Sequence, residues 1–117
     1  MRYLMLIYTP EVDPATVTPE QRAATSAQYA AFTGEVRDRK VMEGGEALQA
    51  TTTATTVRIR DGKTLVTDGP YAETKEALAG YYLLDVADLD EALELAAKIP
   101  GAQWGAIEVR PIWEQGG

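Results

Sequence analysis

Thr67-Asp68-Gly69-Pro70-Tyr71-Ala72-Glu73-Thr74-Lys75-Glu76 is the stretch that divides the chain into its parts. Gly69-Pro70 ends any strand, because proline has no N–H for a ladder bond and its ring fixes φ. On the N-terminal side, Thr55 to Arg60 and Lys63 to Asp68 are β-branched segments joined by Asp61-Gly62, a strong signal for a two-residue hairpin turn. Such a loop sets the register: Arg60 faces Lys63, Ile59 faces Thr64, and Val57 faces Val66, with the valine pair expected on the core side. On the C-terminal side, Tyr81 to Val86 reads as another strand. The connection places a phenol, two carboxylates and an ammonium together, and binding groups often sit on short loops held by a rigid scaffold.

Outward from this stretch, the rest of the chain alternates between strands and helices. Arg2 to Tyr8 is short, apolar and free of turn residues, and is read as a first strand buried on both faces. Thr9 to Val17 contains two prolines and two acids and is a surface connection. Thr18-Pro19-Glu20-Gln21 carries a helix start: an N-cap threonine, proline at the first helical position, and a glutamine that reaches back. That helix is expected to run to about Lys40, with Tyr29, Phe32 and Val36 as its core stripe and Gly34 weakening it without ending it. Val41 to Leu48 is a short irregular strand with a bulge at Gly44-Gly45. Asp88-Leu89-Asp90-Glu91 opens a second helix whose predicted apolar stripe is Leu89, Ala92, Leu93, Ala96 and Ile99, and Pro100-Gly101 stops it. Gly105 to Trp113 is the last strand.

Two β-α-β halves in this order predict an α+β fold: a ferredoxin-like antiparallel sheet with helices on one face, in a single domain over residues 1–117. The sheet's other face then needs cover. A second copy of the chain supplies it in the expected arrangement, a homodimer enclosing a dimeric α/β barrel.

Composition narrows the chemistry further. A net charge of −7 argues against a nucleic-acid partner, whose phosphates demand clustered Lys and Arg. No apolar run reaches the roughly 18 residues that cross a membrane, and the N-terminal run is too short for a secretory leader. A cytoplasmic location is the expectation. The chain has no Cys and no His. It therefore has no disulfide, no thiolate nucleophile, and neither the commonest metal ligand nor the usual neutral-pH proton carrier. No loop shows the ligand spacing of an all-oxygen metal site, so neither metal nor cofactor is expected.

Among polar residues, Asp68, Glu73, Lys75 and Glu76 come first. In a functional role, one carboxylate acts as a base and Lys75 holds a substrate anion. Such a carboxylate works near neutrality only if burial or a neighbouring acid raises its pKa. In a structural role, Asp68 caps the turn and the others form a solvated charge run. Glu108 and Arg110 alternate on one face of the last strand, where they either reach a ligand between subunits or pair with each other. Glu46, after Gly44-Gly45, faces the same space. Tyr81, Tyr82, Trp104 and Trp113 are candidates for core packing, a pocket wall or an interface.

Asp68-Gly69-Pro70-Tyr71-Ala72-Glu73-Thr74-Lys75-Glu76, followed by Gly80-Tyr81-Tyr82-Leu83-Leu84-Asp85-Val86, resembles the DGPF family of YCII-related proteins. Tyr71 stands where the family's name tetrad has Phe. Met1 to Tyr8, Gly44-Gly45-Glu46-Ala47-Leu48, Thr55-Thr56-Val57-Arg58 and Gly105 to Ile112 resemble the family's other segments, in order. The resemblance implies an α+β sandwich pairing into a dimeric barrel, largely without an assigned reaction. A link to extracytoplasmic-function sigma factors is implied by analogy. The His–Asp pair proposed for the wider group has no counterpart here, and Trp104 occupies a position where many relatives carry His or Tyr. The expected ligand-binding residues are Glu46, Asp68, Tyr71, Glu73, Lys75 and Arg110, around a small, anionic molecule in the dimer cavity. No catalytic residue is assigned. The alternatives are a cofactor-free isomerase or oxygenase with a carboxylate base, and a sigma-factor accessory protein.

Overall fold

The structure is a computed structural model that describes residues 1–114. Six strands and two helices follow in the order β1 (Arg2–Pro10), α1 (Pro19–Asp38), β2 (Met42–Ala47), β3 (Thr55–Arg60), β4 (Lys63–Asp68), β5 (Glu76–Asp85), α2 (Leu89–Ala96) and β6 (Ala106–Pro111). Four of the strands form one sheet in the order β2-β5-β1-β6, with every neighbouring pair antiparallel. That is the strand order of a ferredoxin-like sandwich, and the β3–β4 hairpin is a separate two-stranded sheet inserted into it.

Local chemistry explains each boundary. Thr18 caps α1 with its hydroxyl on the Gln21 N–H, while the Gln21 side chain accepts from the Thr18 N–H, closing the capping box. The helix ends at Asp38 with Arg39 as its cap; Lys40 then takes a positive φ of 61°, and the Val41 N–H returns to the Val36 carbonyl. Asp88 caps α2 by accepting from the Glu91 N–H. Asp61 and Gly62 have φ of 53° and 73°, the left-handed pair of a two-residue hairpin turn, and the register of β3 against β4 is the one expected from the loop length.

The core lies between the sheet and the helices. Tyr3, Met5 and Ile7 of β1 and Tyr82 and Leu84 of β5 meet Phe32 and Val36 of α1 and Ala92, Leu95 and Ala96 of α2. Phe32 sits edge-on to Tyr82, with ring centroids 5.0 Å apart. Glu35, Arg39, Glu94 and Lys98 link the two helices outside the core, with Lys98 Nζ 2.8 Å from Glu35 and Arg39 Nη2 2.9 Å from it.

Four expectations need correction. β1 is covered within the chain on one face only. Leu4, Leu6 and Tyr8 are half-buried, because both helices lie on the side of Tyr3, Met5 and Ile7. β5 begins at Glu76 rather than Tyr81, since β1 continues to Pro10 and pairs with it across a bulge at Ile7/Tyr8. On α2, Leu95 replaces Leu89 and Leu93 in the buried stripe. The latter two are 49% exposed, and Ile99 lies beyond the helix. Val57 and Val66 face solvent, 60% and 64% exposed, because the hairpin stands away from the main sheet.

Candidate functional site

Four α1 residues, Thr25, Tyr29, Thr33 and Arg37, recur at every fourth position and therefore share one helix face. That face overhangs the sheet beside the core stripe of Phe32 and Val36. Beneath it lie Ile7 and Thr9 of β1, Met42, Gly45 and Ala47 of β2, and Ala79, Gly80 and Tyr82 of β5, with Trp104 also on the wall. The cleft has a volume of about 410 Å³, within the range of small-molecule sites. Ala47 and Ala79 add little side-chain volume to its floor.

Hydroxyls dominate its polar chemistry. Thr33 Oγ1 and Tyr82 Oη are 2.9 Å apart, and Tyr29 Oη accepts from the Gly101 N–H at 3.1 Å. Burial pushes the Tyr29 phenol above its usual range, against the smaller opposing effect of the Gly101 N–H, so it stays protonated at neutral pH. Arg37 is the one cationic side chain on the wall. Glu46 borders the cleft too, but it pairs with Tyr81, and strand alternation sends its side chain to the opposite sheet face.

The sequence-predicted residues occupy two other places. Asp68, Glu73 and Lys75 line a second open groove, of about 520 Å³, at the foot of the hairpin, with Glu11, Thr51 and Thr52. All three side chains are exposed, and the ion pairs among the described residues involve neither Glu73 nor Lys75. Tyr71, beside them in the chain, is exposed under the Arg58 guanidinium, which lies 4.9 Å from its ring centre. Glu46 and Arg110 share the bare face of the main sheet. One row across that face runs Glu46, Tyr81, Leu6, Glu108, and the next runs Gly44, Leu83, Leu4, Arg110. Arg110 pairs with Glu108 two residues away on its own strand. Among the described residues, no three acids converge on a metal-sized site.

A family model for the YCII-related domain matches residues 1–115. The chain belongs to the YCII-related family. It is also 39% identical over 119 residues to an uncharacterized protein of Rhizobium meliloti (strain 1021), an alignment covering 96% of this chain and 92% of that relative. For this YCII-related protein, sequence reasoning missed the cleft. The four-residue polar period on α1 was the available signal, but neutral hydroxyls on a helix also fit a solvated face. No helix among the described residues is long and apolar enough to cross a membrane.

Proposed function

We propose that this protein binds a small organic mono-anion in the helix–sheet cleft, and does so as a homodimer. The Thr25/Tyr29/Thr33/Arg37 stripe over an apolar floor carries this reading. A single guanidinium suits one carboxylate, since it can donate two parallel hydrogen bonds to it. Ile7, Met42, Ala79 and Trp104 suit an apolar body, and the hydroxyls fix its orientation. Apart from Glu46, the ionisable residues lining the cleft are Arg37, which is exposed, and tyrosines, while Asp68 and Glu73 lie elsewhere. Binding is therefore favoured over catalysis by a carboxylate base.

Surface area supports the dimer. The chain exposes 8274 Å², whereas a folded monomer of its mass exposes about 6,200 Å². An excess of about 2,000 Å² is of the size that one protomer buries in an obligate homodimer. The bare sheet face, with Leu4, Leu6, Tyr8, Tyr81 and Leu83, is the proposed contact, and it would bring Glu46 and Arg110 into the space between two sheets. Sedimentation equilibrium is expected to return twice the chain mass at micromolar concentration. A single subunit there would refute the dimer.

The ligand reading has its own test. Only Trp104 and Trp113 are tryptophans, so Trp113→Phe leaves Trp104, 44% exposed on the cleft wall, as the reporter. Hexanoate, decanoate and benzoate are expected to change its fluorescence and raise Tm, with their methyl esters weaker. Arg37→Met is expected to erase the preference for acid over ester. If none of the acids produces a response, or if the preference survives in Arg37→Met, the assignment is wrong.

A further inference from the structure

Tyr29, Thr33 and Tyr82 bring the less exposed hydroxyls of the cleft: Tyr29 and Thr33 are half-buried and Tyr82 is buried. Their hydrogen bonds decide which protons are left to give. The Tyr29 oxygen accepts from the Gly101 N–H at 3.1 Å. A phenol has a single O–H, and with the Gly101 N–H on one side of the oxygen that O–H turns away from Gly101. Among the described residues no side chain or backbone oxygen takes it. Burial first, and the neighbouring Tyr82 phenol to a smaller extent, push the Tyr29 phenol up against the pull of the Gly101 N–H, so the proton stays in place at neutral pH.

Thr33 Oγ1 and Tyr82 Oη are 2.9 Å apart, and either one can be the donor. The choice does not alter the count. Two hydroxyls that share one hydrogen bond still hold one O–H between them, because each brings a proton. The cleft therefore keeps two unspent O–H donors, one on Tyr29 and one on the Thr33–Tyr82 pair. Arg37 adds donors and no acceptor, while Thr9 and Thr25 serve either way. In a partly dried site an unmatched donor costs free energy that a matching acceptor recovers. Spare capacity on this wall is thus weighted toward giving protons, well beyond what one carboxylate at Arg37 uses.

We infer that the ligand is an oxo acid, whose ketone oxygen lies remote from its carboxylate and accepts the Tyr29 O–H. The inference rests on the anion reading above and names the ligand class within it. Arg37 and Tyr29 are eight residues apart, which is about 12 Å along α1, and Thr33 lies midway. An acid held by Arg37 therefore offers these hydroxyls an atom several bonds from its carboxylate, so a ketone adjacent to the carboxylate falls short. A carbonyl oxygen has two lone pairs and no proton, and it can take Tyr29 and the Thr33–Tyr82 pair together. An alcohol brings a further proton that needs a partner. A second carboxylate lacks a second cation on the wall. Tyr29 is then the residue that selects the oxo acid over its deoxygenated analogue.

Titration calorimetry of the full chain with para-acetylbenzoate and para-ethylbenzoate tests this, since the two acids share a rigid ring and differ in the ketone oxygen. Wild type is expected to bind the acetyl compound about three- to tenfold more tightly, the worth of one hydrogen bond. Tyr29→Phe is expected to bring that ratio to about one while leaving para-ethylbenzoate binding unchanged, which shows the cleft still formed. Arg37→Met is expected to weaken both acids and keep the ratio. Infrared spectra give a readout that needs no variant: the ketone stretch of bound para-acetylbenzoate is expected below its frequency in an aprotic solvent. If wild type binds neither acid, the anion reading falls and the oxo acid with it. If both bind equally and Arg37→Met weakens both, the anion reading stands and the oxo acid is refuted. A ketone stretch at the aprotic frequency refutes it too, and a ratio unchanged in Tyr29→Phe removes Tyr29 as the selecting residue.

Discussion

Gly101 lies directly behind the cleft wall, which makes Gly101→Ala a sharp probe of the site's construction. A Cβ at this position would sit 2.8 Å from Tyr29 Oη, 3.1 Å from Ile7 Cγ2 and 3.2 Å from Thr9 Cγ2, three groups that line the cleft. Its φ is not in the left-handed region, so backbone conformation does not oppose alanine. Two effects compete. Removing glycine's freedom from the unfolded chain stabilises by about 0.4–1 kcal/mol. Against this, the phenol must swing into the open cleft and give up its hydrogen bond from the Gly101 N–H, costing about 1 kcal/mol. Ile7 and Thr9 must shift as well, and overpacking of this kind costs about 1–3 kcal/mol.

The balance is a loss of about 1–3 kcal/mol. For this length the unfolding entropy is about 0.25 kcal/mol per degree, so Tm is expected to fall by about 4–12 °C. Urea denaturation of Gly101→Ala, Tyr29→Phe and the double variant separates the causes. Tyr29→Phe removes the crowding oxygen and the hydrogen bond together, so it is expected to cost about 1 kcal/mol alone and to rescue part of the Gly101→Ala loss. A Gly101→Ala protein as stable as wild type, or a double variant that is strictly additive, would refute the packing described here.

Other outcomes follow from single features. Leu95→Ala is expected to cost about 2–5 kcal/mol in urea denaturation, and Leu93→Ala under about 1 kcal/mol, since only Leu95 is fully buried. Lys40→Gly is expected to stabilise by about 0.5–1 kcal/mol, because lysine holds a left-handed φ that glycine adopts freely. Thr18→Ala is expected to speed hydrogen exchange at the Gln21 amide by removing the cap, with little change in Tm because the first half of α1 is exposed. Lys98 holds the Glu35 carboxyl below its ordinary 4.5 through a hydrogen bond, outweighing partial desolvation. A depressed folded value means the stabilisation is complete above the unfolded pKa and is lost as pH falls through the folded one. A carboxyl NMR titration of Glu35 is expected to show a low midpoint in wild type and a higher one in Lys98→Met.

Elements with local signals were legible before any coordinates. Thr18-Pro19-Glu20-Gln21 carries its cap in four residues, and Asp61-Gly62 sets six cross-strand pairs by loop length alone. What escaped depends on tertiary context. α2 bears two overlapping apolar stripes, one through Leu89 and Leu93 and one through Ala92, Leu95, Ala96 and Ile99, and helical periodicity cannot choose between them. The first residues of β5, Glu76-Ala77-Leu78-Ala79-Gly80, have poor strand propensity and become a strand because Tyr8, Thr9 and Pro10 offer a ladder. Val57 and Val66 were paired correctly but assigned the wrong environment, since alternation identifies an apolar face without saying what lies against it.

The same distinction explains why the acidic connection drew attention and the cleft did not. Asp68, Glu73 and Lys75 are conspicuous because charges are, yet all three are exposed, and hydration removes most of the energetic consequence of a charge. Tyr29, Thr33 and Tyr82 carry no charge. They gain chemical weight only when a helix overhang and small sheet residues remove water from around them, because a hydroxyl in a drier place binds more selectively than a carboxylate in a wet one. On the proposed reading, the cleft owes its space to small side chains on its floor, Ala47 and Ala79. Filling that space tests the idea directly. Ala79→Leu adds bulk to the cleft floor at a half-buried position, so it is expected to abolish the carboxylate response of Trp104 while shifting Tm by only a few degrees. A full ligand response in Ala79→Leu would place the binding site somewhere other than between α1 and the sheet.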